Sequence, residues 1–297
     1  MIDVLCVGHA AFDITMTANH HPAADEKMLA DALTLGGGGP AANAAVQVAR
    51  LGGRSAFCGY LGHDLFGEEH TSELAHEGVD TGLLVRGGEP SPVSQVLAKP
   101  DGSRSVVNYK GDTRWLTEEE VDLRRIEALS PQVVLFDGHE PLISCMICQW
   151  AKHHGIPTVL DAGSLHRGTR ELAVQVDYLV ASEKFARQFC ALDDPEQCLE
   201  PLTVAGHVVV TRGERGLIWQ MESSRGRLDA YRIDAVDTTG AGDAFHGAFA
   251  MAVARDMGWD ETLRFASAAG ALACTRLGAR ASLATAEQVA KLIGRAD

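Results

Sequence analysis

The chain has 297 residues, of which 46% are hydrophobic and 22% are charged, and this composition excludes a disordered tail protein or a collagen-like chain. It carries 26 Lys and Arg residues against 40 Asp and Glu residues. The resulting net charge of −14 argues against non-specific binding to nucleic acid or to an anionic membrane. A phosphate group can still bind, because a local nest of backbone N–H groups can outweigh a distant negative field.

Neither a membrane segment nor a secretion signal is expected. The sequence contains no run of 18 or more apolar residues, and its first residues lack a cationic region followed by a cleavage site. The seven cysteines are scattered, which argues against a disulfide framework. Cys145 and Cys148 form a C-x-x-C pair, but no second pair completes a zinc site. We therefore expect a protein of the reducing cytoplasm.

The first hundred residues predict several short strands and a well-marked helix. Four glycines and Pro40 precede an Ala-rich segment over residues 41–51, and proline is tolerated at the first turn of a helix. Asp101-Gly102 joins two strand-like runs, which is a hairpin signal. The strand-like runs of this part cover residues 2–7, 13–17, 28–35, 55–61, 94–100 and 103–109.

From about residue 118 the pattern alternates between helix and strand. Such alternation predicts an α/β fold with a mainly parallel central sheet and helices on both faces. The early strand-like runs do not alternate with helices, so they predict a small separate β-sheet. We therefore expect an α/β core over residues 1–12, 36–92 and 111–297, and a β lid over residues 13–35 and 93–110.

The strongest local signal is the segment from Asp237 to Phe245. Its small-residue turn Gly240-Ala241-Gly242 leads directly into a predicted helix, whose free N–H groups and dipole favour an anion. Asp243 follows in the first helical turn, where a carboxylate can take a proton from a hydroxyl beside the anion. An isolated Gly-x-Gly-Asp is more often an ordinary helix start, so this motif needs support from elsewhere in the chain.

Two glycine-rich turns supply weaker signals. The glycines of residues 36–39 allow close backbone approach to a ligand, and Asn43 on the following helix offers donors and an acceptor to hydroxyls. The turn of residues 211–216 follows an apolar strand, and the carboxyl ends of such strands bind ligands in open α/β sheets. Taken alone, each turn is also explained as a simple loop.

Together the three motifs, in this order and at these separations, resemble the ribokinase-like (PfkB-type) carbohydrate kinases over essentially the whole chain. Within that family the residues of 274–280 and 245–248 look most like ketose kinases, including sulfofructose kinases. The resemblance implies that Asp243 is the catalytic base and that Gly240, Ala241 and Gly242 form the anion hole. It places the sugar against Asp13, Gly38, Gly39 and Asn43, and ATP along Thr211, Gly213, Gly216 and Ser267.

The resemblance also implies two metal ions. A monovalent cation such as K⁺ would lie beside the anion hole, at positions that match Asp237, Thr239, Ala273, Arg276, Gly278 and Ser282. The family's Asn-x-x-Glu motif, which helps to organise Mg²⁺, falls on residues 182–185, where both signature positions differ. Glu183 is the neighbouring carboxylate that could replace that motif.

The leading prediction is thus an ATP-dependent sugar kinase acting on a monosaccharide, most simply a ketose. The alternatives are a kinase for an anionic sugar such as sulfofructose, a nucleoside kinase of the same fold, and a sugar- or nucleotide-binding regulator without catalysis. Lys27, Asn108 and Lys110 lie at predicted ends of lid strands, where a cation would favour an anionic sugar. Pairing of two exposed lids predicts a homodimer.

Overall fold

The computed structural model describes residues 1–99, 104–110, 115–203 and 206–295. The strands are β1 (Ile2–Val7), β2 (Ala11–Thr17), β3 (Ala32–Gly38), β4 (Ser55–Cys58), β5 (Tyr60–Gly62), β6 (Val85–Gly87), β7 (Val93–Ala98), β8 (Arg104–Tyr109), β9 (Pro131–Phe136), β10 (Thr158–Ala162), β11 (Tyr178–Ser182), β12 (His207–Thr211), β13 (Leu217–Met221) and β14 (Ser224–Leu228). The helices are α1 (Pro40–Arg50), α2 (Leu65–His76), α3 (Leu123–Leu129), α4 (Pro141–His153), α5 (Arg167–Leu172), α6 (Glu183–Cys190), α7 (Pro195–Leu202), α8 (Ala241–Ala254), α9 (Trp259–Ala273) and α10 (Ala286–Ile293).

An eight-stranded sheet in the order β14-β13-β12-β11-β10-β9-β1-β4 forms the centre of the larger part. In this order, the six strands β12, β11, β10, β9, β1 and β4 are parallel to one another. The strands β13 and β14 add an antiparallel edge. Parallel strands must be buried on both faces, which explains the apolar runs that the sequence shows there. The predicted mainly parallel sheet is confirmed.

Helices cover both faces of this sheet, so that two hydrophobic cores form. Alternate strand residues point to opposite faces: Val4 and Cys6 pack with α1, α8, α9 and α10, whereas Leu5 and Val7 pack with α3 to α7. The first core is rich in alanine, which lets α1 and α8 approach the sheet and each other closely. This close packing carries the N-termini of both helices to one edge of the sheet.

A second, four-stranded sheet has the order β3-β2-β7-β8. Its β2–β7 pair is parallel, and its outer pairs are antiparallel. One face is covered, because Thr15, Val96 and Ala98 are buried. The predicted small sheet is thereby confirmed, whereas the division into a core and a lid stays a prediction, and the predicted turn at Asp101-Gly102 lies outside the described residues.

The structure departs from the predicted elements in three places. The predicted strand over residues 55–61 is interrupted at Gly59, and β5 then pairs with β6 in a sheet of its own. The helical pattern expected from about residue 118 divides into a 3₁₀ turn at Glu118–Glu120 and the helix α3, because Asp122 caps a new helix there. The short helices α5, α6 and α7 were not predicted, since 6 to 8 residues give little periodic signal.

Two global features accompany the fold. Within the described ranges, no helix combines the length and the hydropathy that crossing a bilayer requires. The seven cysteines are free thiols, and Cys148 of the C-x-x-C pair is buried in α4. The structure therefore uses these cysteines as packing groups rather than as cross-links.

Candidate active site

At the C-terminal ends of the parallel strands of the eight-stranded sheet, several loops meet around the buried carboxylate of Asp137. This residue directly follows β9. One of its oxygens accepts hydrogen bonds from the backbone N–H groups of His9 (2.8 Å) and Ala41 (3.1 Å), and the other accepts from His139 (2.9 Å). These donors belong to the loop after β1, the start of α1 and the loop after β9. A single side chain therefore joins three segments that border the cleft between the two sheets.

The N-terminus of α8 opens onto the same edge without a side-chain cap. Side chains cap α2, α3, α6, α7 and α10, whereas α1, α4 and α9 lack such a cap as α8 does. Gly240 stands at the cap position of α8 with φ of 79°, and a Cβ there would lie 2.7 Å from the carbonyl oxygen of Ala279. The residue must therefore be glycine. The N–H of Ala241 donates a long hydrogen bond of 3.4 Å to the carbonyl of Thr238, and no side chain caps the amides that follow it, which the predicted anion hole needs.

Asp243 lies in the first turn of this helix and reaches α1. One of its carboxylate oxygens accepts a hydrogen bond of 2.7 Å from the amide nitrogen of Asn43. Burial raises the pKa of Asp243, and the hydrogen bond from Asn43 opposes that rise. A carboxylate with a raised pKa beside an anion hole can accept a proton while phosphoryl transfer occurs.

His246 lies one helical turn after Asp243 in α8 and forms a buried pair with Asp161. Nδ1 of His246 is 3.2 Å from a carboxylate oxygen of Asp161 and 2.6 Å from the carbonyl oxygen of Gly242, and Nε2 is 3.0 Å from that of Val180. Each ring nitrogen thus faces oxygen atoms of its neighbours. The pair fastens the first turn of α8 to β10 and β11.

The sugar-side residues lie along the smaller sheet. In the strand register Asp13 is opposite Gly36 on one side and Ser94 on the other, and Ser94 is opposite Asn108. Directly opposed residues share a sheet face, so Asp13 and Asn108 lie on the same face, which is partly covered at Asp13 and exposed at Asn108. Burial raises the pKa of Asp13 to about 6, while its hydrogen bond with Ser94 and the charge of Arg280 oppose the rise.

Other predicted sugar contacts have different settings. Gly38 ends β3, and Gly39 is the N-cap of α1, so both border the segment that carries Asn43. Lys27 is exposed and precedes β3, outside the regular strands of the smaller sheet. The structure therefore places Asp13, Gly38, Gly39 and Asn43 around one cleft, whereas no recorded contact joins Lys27 to it.

The predicted nucleotide turn follows β12. Thr211 donates a hydrogen bond to the carbonyl of Ala181, and Gly213–Arg215 forms a single 3₁₀ turn before Gly216. Glu183 forms ion pairs with Arg215 of this turn and with Arg187 of its own helix. Ser267 is half-buried on α9, which packs against α8. Glu183 therefore supports the turn rather than presenting an unpaired carboxylate.

The predicted monovalent-cation positions come together in two adjoining loops. The buried carboxylate of Asp237 accepts hydrogen bonds from the backbone N–H groups of Thr239 and Gly278, both at 2.9 Å. Ser282 donates to the carbonyl of Ala273, and Arg276 is exposed in the same loop. The two loops thus lie against each other directly before the anion hole.

The sequence alone missed five residues of this site. Asp137 and Asp161 stand at the carboxyl ends of predicted strands, and that position was a usable signal. His246 and Arg280 lie in the segments 245–248 and 274–280 that resemble ketose kinases, but no role was predicted for them, and Arg104 had no comparable signal. Arg104 on β8 donates a hydrogen bond of 2.7 Å to the hydroxyl of Thr238 and so connects the smaller sheet to the loop that precedes α8.

Curated relatives match nearly the whole chain. A ribokinase of Bacillus subtilis is 28% identical over 297 residues, covering 99% of this chain and 100% of the relative. Fructokinase-1 of Oryza sativa is 30% identical over 287 residues, covering 86% and 88%. Among solved structures, Arabidopsis thaliana ribokinase complexed with ribose and ATP superposes with a TM-score of 0.86 at 25% identity, covering 98% of both chains.

The sequence model of the family described as pfkB family carbohydrate kinase matches residues 1–286. This range includes the uncapped helix start, Asp243 and both glycine-rich turns. The match and the ribokinase-like fold agree with the resemblance that the three motifs predicted. The chain therefore belongs to the pfkB family of carbohydrate kinases.

Proposed function

We propose that this carbohydrate kinase transfers the γ-phosphoryl group of ATP to a hydroxyl of a monosaccharide, with a ketose as the preferred acceptor. The observation that carries the proposal is Asp243 beside the uncapped N-terminus of α8, because it joins a proton acceptor to an anion-binding turn. Ribokinase and fructokinase relatives support a sugar as the acceptor. Ribokinase-like kinases use ATP and Mg²⁺, in agreement with the predicted cofactors.

The geometry supports a direct transfer. Asp13 and Asn43 orient the sugar, and Asp243 takes the proton of the reacting hydroxyl as its oxygen attacks the γ-phosphorus. The new O–P bond forms while the bond to the bridging oxygen breaks, so that ADP leaves. The amides around Gly242 stabilise the charge on the transferring oxygens, because they are fixed before the reaction begins.

The metal requirement separates into two parts. Mg²⁺ prefers oxygen ligands and keeps several waters, but the stretch 182–185 does not fit it as a direct carboxylate site. Ser182 caps α6, and Glu183 is paired with two arginines. When bound with ATP, Mg²⁺ supplies charge neutralisation on the phosphates.

We also propose that the loops of Asp237 and Ser282 hold a monovalent cation such as K⁺ through backbone carbonyls.

A sugar panel tests the proposed activity. ADP release is measured with fructose, ribose, 2-deoxyribose, adenosine and a sulfonated ketose, in the presence of ATP, Mg²⁺ and K⁺. We expect the highest kcat/KM with the neutral ketose. A preference for adenosine would replace the proposal with a nucleoside kinase. Sugar-induced thermal stabilisation without ADP release from any acceptor would instead indicate a binding regulator.

The pKa of Asp13 predicts that kcat/KM for the sugar falls at acid pH. Burial raises this pKa to about 6, so the protonated form, which accepts fewer hydrogen bonds from hydroxyls, predominates below that pH. We expect kcat/KM for the sugar to fall about tenfold for each pH unit below 6. The pH profile of Asp13→Asn checks this, because its acid limb should move to lower pH. An unchanged limb would remove Asp13 from this role.

An anionic acceptor is the second candidate function, and the structure offers it specific support. Asn108 shares a sheet face with Asp13, and Lys110 follows it. Lys110 lines a cavity of about 60 Å³ together with His9, Trp115 and His139. A lysine at the far end of the sugar would attract a sulfonate, phosphate or carboxylate. Lys27 is the second cation of this proposal, although it is exposed.

Lys27→Met tests the anionic acceptor. If Lys27 meets the sugar anion, its loss should raise KM for an anionic ketose by about tenfold, which corresponds to about 1.4 kcal/mol, and leave KM for ATP unchanged. Lys291→Met, an exposed lysine on α10, is the matched control. Wild-type behaviour of Lys27→Met, or a preference of the enzyme for a neutral ketose, would contradict the anionic proposal.

We further propose a cytoplasmic homodimer formed through the smaller sheet. The face opposite Asp13 exposes four large apolar side chains, each more than half accessible: Leu33, Leu35, Val107 and Tyr109. A contiguous apolar sheet face favours association, and a second copy would cover it. Light scattering at micromolar concentration tests the dimer, and a monomer would contradict it.

A further inference from the structure

Arg280, in the loop between α9 and α10, is a buried cation that contacts Asn43, the partner of Asp243. Its side chain is only 5% exposed. Nε donates a hydrogen bond of 3.0 Å to the side-chain oxygen of Asn43, and one terminal nitrogen lies 2.5 Å from Nε2 of His70. The other terminal nitrogen is 3.1 Å from the carboxylate of Glu73. A Cβ at Gly37 would lie 2.1 Å from this nitrogen, so the absence of a side chain there makes room for Arg280.

The contact with Asn43 decides which way its amide faces. A carboxamide can present either its oxygen or its nitrogen to a neighbour, but a guanidinium only donates hydrogen bonds. The oxygen of Asn43 must therefore face Arg280, and its nitrogen then faces Asp243 at 2.7 Å. If the amide were reversed, two donors would meet at Arg280 and two acceptors would meet at Asp243.

The orientation of Asn43 matters for the base in two ways. Donation from Asn43 engages one oxygen of Asp243 and leaves the other for the hydroxyl of the sugar. The same hydrogen bond favours the ionised carboxylate and lowers its pKa against the effect of burial. Both effects favour a carboxylate that can accept the proton of the sugar hydroxyl.

We propose that Arg280 is a positioning residue for phosphoryl transfer, acting through Asn43 to hold the carboxylate of Asp243 in one orientation. The role rests on the proposed function, because it assumes that Asp243 is the base. Arg280 lies outside the three motifs that identified the family. Its neighbours Glu73, Asp13 and Glu77 balance its buried charge.

A purely structural role for Arg280 can be separated from this one by comparison with Arg50. Arg50 donates hydrogen bonds to the carbonyls of Arg280 (2.7 Å) and Leu283 (3.1 Å) and pairs with Glu77, so it anchors the same loop. None of these contacts of Arg50 involves Asn43. Arg50→Met therefore removes support from the loop without changing the partner of Asn43, and it is a matched control.

Activity measurements give the first test. Arg280→Met should lower kcat by about 10- to 100-fold, with a smaller change in KM, since the orientation of the base is lost. In an Asn43→Ala background the same substitution should have little further effect on kcat. Arg50→Met should lower Tm but keep kcat within a few-fold. Equal kcat losses from Arg280→Met in both backgrounds would overturn the proposal.

A titration gives a second test that needs no turnover. The ¹³C signal of the Asp243 carboxyl, identified by its loss in Asp243→Asn, should report a higher pKa in Arg280→Met and in Asn43→Ala than in wild type and Arg50→Met. Other charged groups also face Asp243: His246, Asp161, Asp137, Asp13, His139 and Arg104. The charge of Arg280 also acts on Asp13, so the shift that Arg280→Met still produces in an Asn43→Ala background measures this indirect contribution.

The two measurements distinguish the possible failures. An unshifted pKa in Arg280→Met would overturn the positioning role even if the enzyme phosphorylates sugars. If the wild-type enzyme phosphorylates no sugar, but the pKa of Asp243 still rises in Arg280→Met, the proposed function would be overturned. The contact from Arg280 through Asn43 to Asp243 would then still be supported. Arg280→Lys is the conservative variant, and a partial return of kcat relative to Arg280→Met is expected because one donor can still reach Asn43.

Discussion

Asp243→Asn is expected to reduce kcat by about 10²–10⁴-fold while the fold and ATP binding persist. Asparagine keeps the shape of the side chain but cannot accept the proton of the sugar hydroxyl. The remaining activity would come from the anion hole at α8 and from the bound geometry of the two substrates. Single-turnover measurement of phosphoryl transfer, with Kd for ATP measured separately, checks both parts of this expectation.

Asp260→Asn is the matched control for this experiment. Asp260 also lies in the first turn of a helix, α9, so its replacement removes a carboxylate from a comparable place in a helix. Activity close to wild type is expected, because Asp260 does not border the cleft. Activity of Asp243→Asn within a few-fold of wild type would remove Asp243 from the role of base.

Asp137→Asn is expected to destabilise the protein by about 3–5 kcal/mol, a loss of several degrees or more in Tm. Both oxygens of Asp137 accept backbone hydrogen bonds, one from His139 and the other from His9 and Ala41. An asparagine has only one oxygen, so its NH₂ group would face at least one buried N–H donor. Thermal and urea unfolding of the free protein measure this effect.

Asp177→Asn separates this effect from the general loss of a carboxylate. Asp177 uses a single oxygen to accept from the backbone N–H and the hydroxyl of Thr158, at 2.9 and 2.7 Å. Its asparagine variant can keep both contacts, so we expect a smaller loss of stability, about 1 kcal/mol. Equal losses for the two variants would show that two-oxygen acceptance by Asp137 is not the cause.

Local patterns were sufficient for the parts of the protein that are contiguous in sequence. The segment from Asp237 to Asp243 contains the turn, the helix start and the base together, so its chemistry could be predicted without a fold. The alternation of apolar strands and helices predicted the parallel sheet, because burial on both faces requires continuous apolar runs. Short helices such as α6 escaped prediction, since one or two turns hold too few residues to show a period.

The tertiary structure alone decided which distant side chains meet. Asn43 and Asp243 are 200 positions apart, and Arg280 and Asn43 are 237 apart, so no local pattern could pair them. Their contacts follow from the alanine-rich packing of α1 against α8, which brings both helix starts to one sheet edge. The sequence thus determined the family, and it predicted the base and the anion-binding turn. The fold determined how that base is oriented, because hydrogen bonds act only over about 3 Å in space, whatever the separation along the chain.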